Sequence, residues 1–103
     1  MTKMPQEVIA LRDRMDDVDR QLLAVLAERL DVSRQIGYAK AKHGWPLHDA
    51  ARETALLAEC AEKGEKLGLP ERFVVEVLKG VLCSSRREVE ADLARRERSS
   101  MAY

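Results

Sequence analysis

The strongest constraint on this chain is a single apolar stripe running from about Pro5 to Lys42. Val8, Leu11, Met15, Val18, Leu22, Val25 and Ile36 fall on steps of three and four, and Leu26 and Leu30 widen the stripe. That spacing marks one face of a long helix, close to a coiled-coil seam. Such a helix would be roughly 55 Å long at the α-helical rise. A compact chain of this size has a radius of gyration of only about 13 Å. One short partner helix cannot cover so long a stripe, so the pattern predicts that a second copy covers it in an obligate homodimer.

Two punctuations follow. His43-Gly44-Trp45-Pro46-Leu47-His48 ends the first periodic run, and Gly68-Leu69-Pro70 ends the second. A second helix is expected from about Ala50 to Leu67, with Asp49 as N-cap and Leu56, Leu57, Cys60, Ala61 and Leu67 on its apolar side. A third begins at Pro70 and carries Phe73, Val74, Val77, Leu78, Val81, Leu82, Ser85 and Val89 on one broad face. Trp45 is expected to anchor the first loop or to lie near a site entrance. The fold class is therefore all-α, with three helices per chain. Residues 1–103 read as one domain, with a polar tail from about residue 94 that is expected to fray.

Composition narrows the function classes. Apolar residues are 46% of the chain, enough for a globular protein, and aromatics only 4%. Formal net charge is zero, which leaves no general footprint for nucleic acid or an anionic membrane. Anion binding must come from a few placed cations. The N-terminal stretch lacks the apolar run of a secretory signal, and no segment has the length of a membrane span, so a cytoplasmic protein is expected. Cys60 and Cys83 fit no metal-ligand spacing and read as small reduced hydrophobes. His43 and His48 sit in a turn, five residues apart, without a cluster of ligands, so no metal site is expected.

The informative residues are cations that interrupt the seam. Arg29 lies a heptad after Leu22, and Lys40 follows eleven residues later. Eleven residues turn a helix by about 1100°, which brings the two side chains within roughly 20° of each other. Both stand where the seam asks for an apolar residue, and a buried cation without a counter-charge is costly. An anionic ligand answers that cost, and a solvated flank is the plainer alternative. Asp49-Ala50-Ala51-Arg52-Glu53 adds an Arg in the first turn of a helix, where the macrodipole favours anions. Arg12 precedes Arg29 by seventeen residues. That places it about 25 Å along the helix and roughly 100° around it. It cannot reach the same small ligand within its own chain, whereas Arg12 of the partner subunit can in an antiparallel dimer.

Leu11-Arg12-x-x-Met15-Asp16-x-x-Asp19-x-x-Leu22-Leu23-x-x-Leu26-x-x-Arg29 resembles the first helix of the all-helical chorismate mutases. The resemblance continues through Ile36-Gly37-x-x-Lys40 and Pro46-x-x-Asp49-x-x-Arg52-Glu53, and Ser84-Ser85-Arg86 is similar to the family's Ser-Arg. It implies an intertwined homodimer that rearranges chorismate to prephenate without cofactor or covalent intermediate, on the way to phenylalanine and tyrosine. By the same resemblance, Arg29 and Arg12 of the partner subunit grip the two carboxylates. Lys40 serves the ether oxygen and an adjacent carboxylate. Glu53 and the backbone near Asp49 bind the ring hydroxyl, Arg52 helps close the site, and Ser85 assists a carboxylate.

One position departs from the family. Four residues after Ser85, where the family places Gln or Glu on the ether oxygen, this chain has Val89. Another side chain can substitute, Lys40 can hold the oxygen alone at a lower rate, or the substrate can differ. Losing one such donor costs on the order of 3 kcal/mol in the transition state. A mutase acting on 4-amino-4-deoxychorismate is the alternative substrate reading. Related enzymes that cleave isochorismate lack the Asp-x-x-Arg-Glu kept here. A silent helical dimer that regulates a partner enzyme of the shikimate pathway is the alternative from another class.

Overall fold

The computed structural model describes residues 2–101, which form three helices and no strand. Helix α1 spans Gln6–Lys42, α2 Ala50–Lys66 and α3 Glu71–Met101. The chain divides into two compact units, Met1–Val32 and Ser33–Tyr103, with the boundary inside α1. No helix among the described residues is long and apolar enough to cross a membrane.

The N-terminal unit is the first part of α1. The Pro5 carbonyl accepts from the N–H groups of Val8 and Ile9 at 3.0 and 3.2 Å, which satisfies orphan donors of the first turn. Arg20 pairs with Asp17 one turn back on the exposed surface. The apolar stripe stands in water: Leu11, Met15, Val18, Leu22 and Val25 are between 50% and 61% exposed. Leu26, Arg29 and Leu30 are half-buried.

The C-terminal unit holds the remainder of α1 with α2 and α3, and its core rests on two glycine–valine contacts. Val74 and Val89 are its buried apolar side chains. A Cβ placed on Gly64 would lie 2.7 Å from Val74 Cγ2, and one on Gly37 only 2.4 Å from Val89 Cγ1. Each glycine therefore lets a valine of α3 approach a helix backbone more closely than any other residue permits. Leu78, Val81, Leu82 and Ser85 continue the inward edge of α3, whereas Phe73 and Val77 on the same broad face are half exposed to water. Asp49 caps α2, its Oδ1 accepting from Arg52 N at 3.0 Å. At the other end the N–H of Leu69 reaches Gly64 O at 2.9 Å while Gly68 takes a positive φ of 82°, a glycine-dependent helix stop.

Three expectations are corrected here. Leu67 caps α2 and is 79% exposed, so it is not part of the apolar side. Trp45 does not anchor its loop by burial, being 70% exposed. The loop is held instead by the backbone, through Trp45 N to Lys40 O at 2.8 Å, and by Lys40 Nζ, which donates to Leu47 O at 3.3 Å. Third, α3 does not fray beyond Leu93 but continues to Met101. The Tyr38 hydroxyl donates to Asp92, the Arg96 guanidinium lies 3.7 Å over the Tyr38 ring, and Arg95 bridges Asp92 at 3.3 Å. These contacts tie the polar end of α3 to α1.

Candidate functional site

The site residues suggested by the sequence fall in both units. Arg12, exposed, and Arg29, half-buried, belong to the N-terminal unit. Lys40, Asp49, Arg52, Glu53, Ser85 and Val89 belong to the C-terminal unit.

Within the C-terminal unit the last turn of α1 presents Lys40, half-buried and engaged with the carbonyl of Leu47. The first turn of α2 presents Arg52 and Glu53. Arg52 is exposed; the hydrogen bond from Lys63 chiefly lowers the Glu59 carboxyl, and the Arg52 charge adds a smaller effect in the same direction. Glu53 turns towards α3. Its Oε1 accepts from Arg86 Nη1 at 2.6 Å, and its Oε2 lies 3.3 Å from His48 Nε2. Both Glu53 and Arg86 keep 30% of their side-chain surface, so this ion pair is shielded without being sealed. It stands at the positive end of the α2 macrodipole, where a carboxylate is favoured.

A groove of about 370 Å³ opens beside the pair, lined by His48, Glu53, Leu57, Lys79, Cys83 and Arg86 among others. Lys40, Asp49, Arg52, Ser85 and Val89 do not line it. Ser85 is half-buried on α3. Val89 is 7% exposed and spends its side chain on Gly37, so the position where the family places Gln or Glu is a packing position in this chain.

Two residues escape a reading of the sequence. Arg86 is visible there only as half of a Ser-Arg pair, yet it is the partner of Glu53. Its signal was present: it follows Leu78 and Leu82 at steps of four, a cation in an apolar stripe just as Arg29 and Lys40 are. His48 looks like a loop histidine until the N-terminus of α2 brings Glu53 beside it. Among the described residues no three His, Cys, Asp or Glu side chains are grouped to hold a metal ion, and Cys60 and Cys83 are half-buried free thiols.

These features define an all-helical protein with half-buried charges set at helix ends. More particularly, the model of the chorismate mutase type II family matches residues 11–90, and the chain belongs to that family. It is similar to the T-protein of Enterobacter agglomerans, 38% identical over 82 residues that cover 80% of this chain and 22% of the relative. The T-protein of Haemophilus influenzae is 35% identical over 69 residues, or 67% of this chain and 18% of the relative. A bifunctional chorismate mutase/prephenate dehydratase of Enterobacter agglomerans is 32% identical over 75 residues, 73% of this chain and 19% of the relative. The chain spans about a fifth of the length of these curated relatives.

Proposed function

We propose that this chain is a chorismate mutase that rearranges chorismate to prephenate as a homodimer. The observation that carries the reading is the family match over residues 11–90, which takes in every candidate site residue from Arg12 to Val89. In this reaction the ether C–O bond breaks as a C–C bond forms, with no proton, electron or group exchanged with the protein. Catalysis is then a matter of holding a compact conformer and stabilising charge on the departing ether oxygen.

In this reading Lys40 faces the ether oxygen and a carboxylate, while Glu53 and the backbone at Asp49 receive the ring hydroxyl. Arg52 helps close the site and Ser85 assists a carboxylate. Arg29 and Arg12 of the partner subunit grip the carboxylates. The stripe exposed on the N-terminal unit supports the dimer: six large apolar residues, Leu11, Met15, Val18, Leu22, Leu23 and Val25, are at least half exposed in a single chain. A cytoplasmic setting suits the two free thiols. Relatives that join a mutase to a second enzyme in one chain support a further partner enzyme of the same pathway.

The departure from the family at Val89, a buried valine that donates nothing, motivates a second reading, in which the substrate differs and is 4-amino-4-deoxychorismate. The deciding experiment is a direct assay of the purified chain with chorismate, following loss of its absorbance and appearance of prephenate. Turnover supports the first reading. A folded dimer that leaves chorismate unchanged refutes it. Turnover of the amino analogue alone then selects the second reading, and inertness towards both leaves the regulatory dimer.

A further inference from the structure

We infer that Arg86 is a specificity-determining residue: by pairing with Glu53 it cancels the charge of that carboxylate, so that the site takes a ring hydroxyl in preference to a ring ammonium. The inference rests on the reading in which Glu53 receives the ring substituent of the substrate. It goes beyond that reading by assigning the choice between the two substrates to a residue of α3.

The geometry supplies the argument. Arg86 Nη1 is 2.6 Å from Glu53 Oε1, a short charge-assisted contact between residues thirty-three positions apart. His48 Nε2 lies 3.3 Å from Oε2 and adds positive charge only when protonated. A carboxylate offers about four lone-pair sites. These two contacts therefore orient Glu53 while leaving it able to accept one more hydrogen bond. A hydroxyl needs only that acceptor. An ammonium gains most from an uncompensated negative charge, and here the compensation is already in place. Lys79, on the same groove, adds further positive charge. With Arg86 present the surroundings of Glu53 are neutral to positive, which is a repulsive element against a cationic substituent. Solvent reaching the 30% of each side chain that is exposed weakens this effect but leaves its sign.

The test compares kcat/KM for chorismate and for 4-amino-4-deoxychorismate, whose amine is protonated at neutral pH, in the unsubstituted chain and in Arg86→Gln, Arg86→Met and Arg86→Lys. Helical content by circular dichroism identifies variants that fold. The unsubstituted chain is expected to prefer chorismate. Either neutral variant should move the ratio of the two kcat/KM values towards the amino substrate by about tenfold, and Arg86→Lys should restore the original preference. Equal losses on both substrates, or an unchanged ratio in a folded variant, overturn the role of Arg86 and leave the mutase reading intact. If the unsubstituted chain turns over neither substrate, or if Glu53→Gln alters neither rate, the reading of the site fails and this inference falls with it.

Discussion

The two units of this chain treat apolar residues in opposite ways. In Met1–Val32 the large aliphatic side chains form a regular stripe and remain exposed, with Leu22 at 54% and Val25 at 61%. In Ser33–Tyr103 the apolar residues are fewer per turn, yet Val74 and Val89 are buried because Gly64 and Gly37 admit them against a helix backbone. The first unit has the pattern of an interface and the second has the packing of a core. Helical periodicity is therefore compatible with either outcome, and close approach at two glycines separates them.

The largest test of that contrast is Leu22→Glu. If a second copy covers the stripe, a buried unpaired carboxylate costs about 3–5 kcal/mol, and sedimentation should show the dimer dissociating with loss of activity. An unchanged monomer would mean the stripe is ordinary surface. Lys40→Ala tests the other unit. If the chain is the proposed mutase, this change should lower its activity by about a thousandfold with helicity and oligomeric state unchanged. Mixing Lys40→Ala with Arg12→Ala sharpens the comparison, because a shared site predicts about a quarter of the original activity from one intact site per hybrid dimer. No recovery on mixing would place both arginine and lysine in the same chain's site.

Smaller effects probe the packed unit. Gly37→Ala forces a methyl group towards Val89 Cγ1, and should cost about 1–3 kcal/mol in chemical denaturation. Val89→Ala in the same chain should recover part of that loss, since the two positions are in contact. On the proposed mutase reading, Val89→Gln is expected to raise the rate on chorismate per folded chain while lowering stability, because an amide must then leave the Gly37 contact or be buried beside it. A stability loss without a rate gain would show that the ether oxygen is served from elsewhere.

The smallest effect is at Tyr38. Its hydrogen bond to Asp92 raises the tyrosine above its ordinary value, and the same bond, helped by Arg96 and Arg95, lowers the aspartic acid. The raised tyrosine contributes stability that is present below its unfolded value and is lost as pH rises through the folded one. The lowered aspartate contributes stability that is present above its unfolded value and is lost as pH falls through the folded one. Tyr38→Phe should flatten the alkaline limb of a thermal-melting profile and loosen the end of α3. An identical profile would deny the contact any part in holding the tail.

Much of this molecule was legible residue by residue. The long stripe, the Asp49 cap and the Gly68 stop located α1, α2 and the start of α3 to within a residue or two, while the end of α3 lies eight residues beyond the expected Leu93. Lys40 and Glu53 stood out as charges at helix positions where charge is expensive or favoured. Trp45 misled because an aromatic in a short loop suggests an anchor, whereas backbone hydrogen bonds and Lys40 hold the loop. The tail misled because its composition is polar, and composition is blind to a tyrosine on another helix. Arg86 belonged to the same class of signal as Arg29 and Lys40 but pointed to no partner from its own helix.

The sequence by itself determined the three helices, all their ends except the last, the apolar stripe and the family, because periodicity, capping and turn chemistry act within a few residues. Only the tertiary structure decided that Val89 belongs to the core, that Glu53 is shared between Arg86 and His48, and that the end of α3 stays helical. Those outcomes depend on contacts between residues far apart in the chain, thirty-three positions for Glu53 and Arg86 and fifty-four for Tyr38 and Asp92. Such contacts form only when helices meet, and the distance of meeting is set by side-chain volume at single positions such as Gly37.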